Sequence, residues 1–288
     1  MPVRGQRRSQ RVSLAFPALV LIVLLVPAHH ALAQTQTPTP PHHTAASVVS
    51  QSNNPLSNLI GFNFNEYYAS TLYDADGVLS VFNMQGVIIP TSRHADLYHL
   101  IRITMPVITT PATPTSYASG FGDLVLQDAF KFSKANAKTE WGVGPLLVAP
   151  TATSDALGAG KWQAGVALVM IRLFKGGSIF GGILTWQTDF AGDSARPGTN
   201  LATFQPDMAF ALGSTGFYLS SSPIWTFDFE NDRYLIPFSL GFGKVMELDK
   251  TIVNVTIEPQ ITVYHKGEQQ PSAQLFLGLT LQWRRTPK

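Results

Sequence analysis

Isolated polar side chains within long apolar runs are the residues of this chain that could do chemistry. Arg102, for example, stands between Ile101 and Ile103. The same kind of alternation places the other members of the group, which consists of Arg102, Gln205, Asp207, Ser222, Asp228, Glu258 and Gln260. Hydroxyl, amide and charged groups on one face of a β-sheet can line a path for a small solute. They can equally satisfy one another inside a closed interior, and the sequence leaves both interpretations open.

Catalytic and metal-binding chemistry find little support in the residue types. The chain has no cysteine, which excludes thiolate nucleophiles, iron–sulfur clusters and cysteine-ligated zinc. A hydrolase would need a serine or aspartate beside His94, His99 or His265, and neither a Gly-x-Ser-x-Gly nor a His-Glu-x-x-His motif accompanies these histidines. We therefore expect no enzyme activity, no cofactor and no metal site, and a hydrolase is the least favoured alternative.

Three short motifs are typical of turns and linkers. Asp74-Ala75-Asp76-Gly77 begins like a calcium loop but lacks the third oxygen ligand and the distal glutamate, so we expect a turn. The stretch 151–160 contains Asp155 and two glycines, as hairpin connections do. His42-His43 lies in a polar stretch without further ligands, which predicts solvated residues.

The composition is poor in charge. Charged residues make up 13% of the 288 residues, about half of the roughly 25% in an ordinary soluble domain. The formal net charge is +2, from 20 basic and 18 acidic residues. Four of the basic residues, Arg4, Arg7, Arg8 and Arg11, lie in the N-terminal segment, and the rest of the chain keeps 16 basic against 18 acidic residues. This balance gives no reason to expect a nucleic-acid partner.

The N-terminus has the three parts of a secretory signal peptide. Arginines precede an apolar run over 14–26, and Ala31-Leu32-Ala33 provides a cleavage site before Gln34. An uncleaved anchor is the alternative, although the run is shorter than the ~20 residues that span a bilayer. We predict a signal peptide over 1–33 and a disordered periplasmic leader, rich in Gln, Thr, Pro and Ser, over 34–54.

From residue 55 onward apolar residues recur at every second position, which predicts β-strands. In 252–264 valines and isoleucines alternate with Asn, Thr, Glu and Gln. Twelve such runs cover 58–70, 78–90, 97–108, 121–132, 138–149, 161–174, 178–190, 200–213, 217–228, 234–246, 251–265 and 273–283. The number is even, and each run reaches the ~9–11 residues that cross a bilayer when tilted. The pattern predicts an all-β fold, a transmembrane antiparallel β-barrel of about 12 strands over 55–288.

A soluble sandwich or lipocalin-like barrel would alternate in the same way. Its polar face would meet water and carry many lysines and glutamates, whereas this polar face is mainly Gly, Ser, Thr, Asn and Gln. Aromatic residues near the run ends favour the membrane, because they form girdles at bilayer interfaces. They are Tyr67, Tyr68, Trp141, Trp162, Phe190, Phe227, Tyr234, Tyr264 and Trp283.

Prolines inside the runs oppose an uninterrupted sheet, because proline has no N–H to donate. They are Pro90, Pro106, Pro145, Pro206, Pro223, Pro237 and Pro259. Bulges or strand ends near the rim would accommodate them, and a role in shaping a pore would require them at one level of the wall. The connections are expected to be short, with 109–119 and 190–200 as the roomy ones.

Five motifs in a fixed order resemble a known family. They are Asn54-Pro55-Leu56-Ser57-Asn58-Leu59-Ile60, Ser119-Gly120-Phe121-Gly122-Asp123-Leu124, Trp141-Gly142-Val143-Gly144-Pro145, the stretch 150–162 and Phe190-Ala191-Gly192-Asp193. The chain resembles Gram-negative outer-membrane transporters of the phenol meta-pathway type, whose members are sometimes mislabelled neuromedin U. The resemblance covers residues 54–283 and implies a barrel with a transport role. The chain departs from the family where Arg284-Arg285-Thr286-Pro287-Lys288 replaces a terminal aromatic residue.

Together these features predict a protein of the cell outer membrane. The expected function is a passive, porin-like channel or transporter for small solutes of an aromatic or hydrophobic kind, with the seven polar residues above lining the lumen. The alternative is a structural or adhesion barrel with a plugged lumen. The expected partners are a small-molecule solute, outer-membrane lipids and lipopolysaccharide, and the barrel-assembly machinery, with no nucleic acid.

Overall fold

The computed structural model describes residues 44–90, 98–113, 115–134 and 137–284. The predicted signal peptide, His42-His43, His94 and residues 285–288 lie outside these ranges, and the expectations for them stay predictions. One helix, α1 (Ala45–Asn53), precedes an antiparallel sheet. No helix in the described ranges has the length and apolar character needed to cross a membrane.

The sheet consists of fifteen strand segments. They are β1 (Leu59–Leu72), β2 (Leu79–Ile88), β3 (Tyr98–Thr113), β4 (Ser116–Phe121), β5 (Leu124–Lys131), β6 (Thr139–Ala149), β7 (Lys161–Leu173), β8 (Ile179–Gly192), β9 (Asn200–Ala211), β10 (Phe217–Ser221), β11 (Trp225–Asp228), β12 (Arg233–Ser239), β13 (Gly241–Leu248), β14 (Thr251–Lys266) and β15 (Pro271–Arg284).

The fifteen segments form twelve wall strands, because three wall strands are interrupted. The pairs β4 and β5, β10 and β11, and β12 and β13 each continue one another along the wall. Each wall strand pairs antiparallel with its neighbours, and β1 pairs with β15 to close the barrel. The predicted closed antiparallel barrel of 12 strands is confirmed.

Period-2 alternation places apolar side chains on the outside of the wall. In β8 the outward side chains of Phe180, Leu184 and Trp186 are between 44% and 52% exposed, while inward Thr185 is buried. Large exposed apolar side chains recur on β3, β7, β9 and β14. A face of this kind is stable against hydrocarbon and would cost free energy in water. The barrel is therefore a transmembrane barrel of the outer membrane, as predicted.

Aromatic side chains occur near both ends of the wall. Trp141 lies near the start of β6 at one end, whereas Trp162 and Tyr264 lie at the other end, and all three are exposed. The expectation is wrong for Tyr67, which lines the interior and packs against Phe276 at 4.9 Å between ring centroids. The run 59–72 places Tyr67 in phase with inward Asn63 and Asn65, which is why it faces the lumen.

Three of the seven prolines, Pro145, Pro206 and Pro223, coincide with gaps in the strand pairing, whereas Pro106 and Pro259 lie in continuous registers. The register of β9 with β10 ends at Met208 and Ser221, and the register with β11 resumes at Phe204 and Trp225. Continuing the register places Pro206 opposite Pro223, so neither strand has an N–H to offer at that point. The β5–β6 register likewise skips the pair that would include Pro145. The expected interruptions therefore lie within the wall itself as well as near its rim.

Two expectations about connections and termini are corrected. The segment 109–119 is not a roomy loop, because β3 and β4 continue as a ladder with Thr109 opposite Ser119. The predicted disordered leader does not extend to residue 54, because 45–53 form α1. Thr44 caps this helix by accepting a hydrogen bond from the Ser47 N–H at 3.2 Å. Burial of Val48 and Val49 against the barrel stabilises a helix that its polar composition did not suggest.

Candidate functional site

Residues that precede the first strand lie inside the barrel at one of its ends. We call the end where β1 begins and β15 ends the termini end, which is the periplasmic end in outer-membrane barrels. Residues 44–58, here called the plug segment, pack inside the wall at this end. Val49 is fully buried, and its cluster includes Ile171, Ala209 and Ile252 from three different strands. This apolar contact fixes one side of the plug segment to the wall.

Hydrogen bonds fix the other side of the plug segment. Ser52 Oγ donates to Gln282 Oε1 at 2.7 Å, and Asn54 Nδ2 donates to Glu140 Oε2 at 2.7 Å. Further bonds join Asn254 Nδ2 to Asn53 Oδ1, Lys131 Nζ to the Leu56 carbonyl and Tyr98 Oη to the Ser57 carbonyl. The strands that hold the segment are β3, β5, β6, β14 and β15. The segment therefore spans the cross-section of the lumen.

Glycine creates the space for one of these contacts. Gly142 on β6 faces the buried side chain of Leu56, and a Cβ added at Gly142 would lie 2.7 Å from Leu56 Cδ2. Beside this contact, Lys131 Nζ bonds Glu140 Oε1 at 2.7 Å. Glu140 and Gly142 of β6 therefore form part of the site that holds the plug segment.

Beyond the plug segment the lumen contains a cavity of about 310 Å³. Uncharged amide and hydroxyl side chains provide much of its lining, and Tyr67 and Phe276 provide an aromatic patch. The amide and hydroxyl residues are Asn63, Asn65, Asn83, Gln85, Thr104, Gln205, Ser220, Ser222, Asn254, Thr256, Thr280 and Gln282. The plug residues Ser52, Asn53, Asn54, Pro55 and Ser57 border the same cavity. A solute in this space would meet many hydrogen-bonding groups and few charges.

Two opposite charges line the cavity without touching. Arg102 extends from β3 and Asp207 from β9, and they interact electrostatically. No ion pair within 4.0 Å joins them in the described part of the chain, and Arg102 Nε is buried without a hydrogen-bond partner. These side chains are available to a third group.

A third charge, Glu258, is committed to the wall. Its carboxylate is fully buried and accepts hydrogen bonds from Ser220 Oγ at 2.9 Å and from the Ser222 N–H at 2.9 Å. Ser222 Oγ, Ser239 Oγ and Gln260 Nε2 also donate to it. The Ser222 N–H borders the ladder gap at Pro223, so the carboxylate replaces an acceptor that the interrupted sheet lacks.

The sequence-predicted residues fall into three places. Arg102, Gln205, Asp207 and Ser222 border the cavity. Glu258 and Gln260 are buried behind it, where Gln274 Nε2 donates to Gln260 Oε1 at 2.7 Å. Asp228 lies apart at the end of β11, outside the cavity lining, and accepts hydrogen bonds from Asn231.

Sequence reasoning missed the amide-rich lining of β1 and β2. Asn63 and Asn65 alternate with Phe62 and Phe64, and Asn63 Nδ2 donates to Gln85 Oε1 at 2.6 Å. The period-2 alternation of these strands is the signal that identifies the asparagines as inward-facing.

The histidines have structural partners. His99 Nδ1 lies 2.9 Å from Asp128 Oδ1, and its ring stacks on Phe130. His265 stacks on Tyr73 with 3.5 Å between ring centroids. No serine hydroxyl bonds to either ring in the described ranges, and no three His, Asp or Glu side chains converge there as a metal site.

The connection 151–160 at the opposite end of the barrel is compact. Arg196 donates to the Asp155 carboxylate at 3.2 Å and to the Asp155 carbonyl at 2.7 Å. Asp123 accepts from the backbone N–H groups of Ala152 and Ala159. The loop is therefore held against the rim rather than free to reach outward.

Comparison with known proteins yields structural likeness only. No family model and no curated protein sequence matches the chain. The crystal structure of an outer membrane channel from Pseudomonas putida F1 is similar with a TM-score of 0.61 and 13% identity, over 81% of this chain and 98% of that one.

Two other structures are more distant. A bacterial polysaccharide outer membrane secretin has a TM-score of 0.40 and 8% identity, over 80% of this chain and 99% of that one. The outer membrane phospholipase A of Escherichia coli has a TM-score of 0.40 and 10% identity, over 84% and 98%. The likeness to the Pseudomonas channel supports the barrel fold already derived from the wall.

Proposed function

We propose that this barrel is a passive channel for small, weakly polar or aromatic solutes, and that it is not an enzyme. The resemblance to transporters of the phenol meta-pathway type supports a single-ring solute. The assembly machinery, lipopolysaccharide and outer-membrane lipids are its proposed remaining partners.

The cavity is the observation that carries this proposal. Amide side chains such as Asn63 and Gln85 offer hydrogen bonds to hydroxyl or carbonyl groups of a solute. The ring pair of Tyr67 and Phe276 offers an apolar, aromatic surface in the same space. A volume of about 310 Å³ lies within the range of small-ligand pockets. This combination suits a small ring that carries one or two polar groups.

The plug segment favours a second function, a structural barrel with a closed lumen. Its apolar and hydrogen-bonded sides hold it in the cross-section. If the barrel is a channel, by contrast, the plug segment must move before a solute passes. The segment then acts as a gate, which its contacts with the wall hold shut. The two functions differ in one measurable property, which is solute flux after the plug segment is loosened.

Swelling of proteoliposomes that contain the full chain tests the proposal. Val49→Asp places a charge at a fully buried plug position and is expected to loosen the segment and raise the flux of arabinose and of 4-hydroxybenzoate. Both solutes cross lipid slowly without a channel. Gel mobility with and without heating shows that the variant barrel is folded.

A cross-link provides the converse measurement. Because the chain has no cysteine, Ser52→Cys with Gln282→Cys can be bridged selectively by a short thiol-reactive linker. Bridging is expected to lower the flux. A matched pair at Thr113 and Ser116, on a hairpin tip away from the lumen, should leave it unchanged. Absence of flux in the folded Val49→Asp variant would refute the channel and leave the structural barrel.

A further inference from the structure

The two unpaired charges of the cavity stand on opposite sides of the barrel. Arg102 belongs to the third wall strand and Asp207 to the eighth of twelve. The two strands are five steps apart in one direction and seven in the other, which is close to diametrically opposite. The cavity that both residues line therefore has a cationic side and an anionic side.

The surroundings leave these two charges open to a ligand. Arg102 has a buried Nε without a partner, and neither side chain takes part in an ion pair within the described ranges. Glu258, which also interacts electrostatically with Asp207, is enclosed by serine and glutamine donors. Asp207 is thus the carboxylate that faces the cavity.

The chemistry of this pair selects among solutes. A monoanion would neutralise Arg102 but would bring a negative charge toward Asp207 and Glu258. A monocation would meet Asp207 but would be repelled by Arg102. A zwitterion satisfies both walls, because its carboxylate can meet the guanidinium while its ammonium meets the carboxylate. The rings of Tyr67 and Phe276 then offer a surface for an apolar side group.

We propose that the cavity binds small zwitterions of amino-acid size, oriented across the lumen between Arg102 and Asp207. This site rests on the proposed function, since the solute enters the same lumen. It assigns a specificity to that lumen: zwitterionic molecules are retained in preference to singly charged analogues of the same shape.

Calorimetric binding to the purified full chain in detergent tests the site. The probes are L-phenylalanine, its amide as the cation and 3-phenylpropanoate as the anion. We expect phenylalanine to bind about tenfold or more tightly than either analogue, which corresponds to one lost charge contact. Arg102→Gln and Asp207→Asn should each weaken phenylalanine binding by about tenfold. Each variant should therefore show a smaller difference in affinity between phenylalanine and the two analogues. Arg172→Gln, which removes an exposed arginine bonded to Thr139, is the matched control and should change nothing.

A charge exchange distinguishes a ligand site from a structural role. The double variant Arg102→Asp with Asp207→Arg keeps the opposed pair and should recover part of the affinity for phenylalanine. Equal binding of the three probes, or no binding of phenylalanine to the wild-type chain, would overturn the site.

Proteoliposome swelling separates this inference from the channel. Phenylalanine binding to the wild-type chain, together with absence of flux through the folded Val49→Asp variant, would refute the channel and retain the site. Flux with equal affinity for all three probes would retain the channel and refute the site.

Discussion

Replacement of Glu258 by alanine tests whether a buried carboxylate stabilises the barrel by accepting hydrogen bonds where prolines interrupt the strand pairing. In the native barrel the carboxylate accepts five hydrogen bonds, one of them from the fixed backbone N–H of Ser222. Serine hydroxyls can rotate toward other acceptors after the substitution, but the Ser222 N–H cannot. An orphaned buried donor costs about 1–3 kcal/mol, and the space left by the side chain adds to that.

We expect Glu258→Ala to lower the free energy of unfolding by about 3 kcal/mol. Removal of the buried carboxylate also removes its desolvation cost, which would raise the free energy of unfolding. We expect the lost hydrogen bonds to outweigh this gain, because the Glu258 carboxylate accepts five of them. Glu258→Gln keeps a carbonyl oxygen for the Ser222 N–H, so its loss should be less than about half as large.

Urea unfolding in lipid vesicles, followed by tryptophan fluorescence, measures these differences. Glu268→Ala removes an exposed carboxylate from the β14–β15 turn and should be neutral within about 0.5 kcal/mol. Equal stability of Glu258→Ala and the wild-type chain would refute the reasoning, because it would mean that the cost of burying the charge cancels its hydrogen bonds.

Three further substitutions test other contacts. Lys131→Met leaves the buried Glu140 carboxylate without its cation and should destabilise the barrel by about 2–4 kcal/mol in the same urea assay. Gly144→Ala places a Cβ 1.6 Å from the Asp128 carbonyl oxygen and should sharply reduce the folded fraction on a gel-shift assay, whereas Gly86→Ala, with nearest contact 3.9 Å, should fold normally. Arg196→Ala should make the loop 151–160 sensitive to added protease within an intact barrel, and unchanged resistance would contradict the proposed anchoring.

The alternation of apolar and polar residues was sufficient to predict the barrel wall. Outward side chains meet lipid and inward side chains meet the lumen, so the two environments impose the period of two. Leu184 and Thr185 on β8 illustrate this, one exposed to lipid and the other buried inside. The period does not, however, tell how far a strand continues beyond the bilayer. The segment 109–119 carries little alternation and still pairs, since a hairpin outside the membrane needs only backbone hydrogen bonds.

The site was less accessible from the sequence because it depends on register and closure. Arg102 and Asp207 face the same cavity from opposite sides. This arrangement follows from the order of strands around a closed barrel, and the local sequence pattern does not contain it. The plug helix was missed for a related reason. Its residues Ala45–Asn53 are mostly small and polar, and Val48 and Val49 become informative only when a lumen is present to bury them.

The short connection between the plug helix and the wall makes any opening an intramolecular event. Five residues, 54–58, separate the end of α1 from the start of β1. Fully extended, they reach roughly 17 Å, so a released helix stays beside the mouth of the barrel. Such a tether acts like a ligand at an effective concentration on the order of millimolar. The return of the helix into the barrel is therefore independent of protein concentration. A free peptide of the same sequence would have to reach a millimolar concentration to compete for the same place in the lumen.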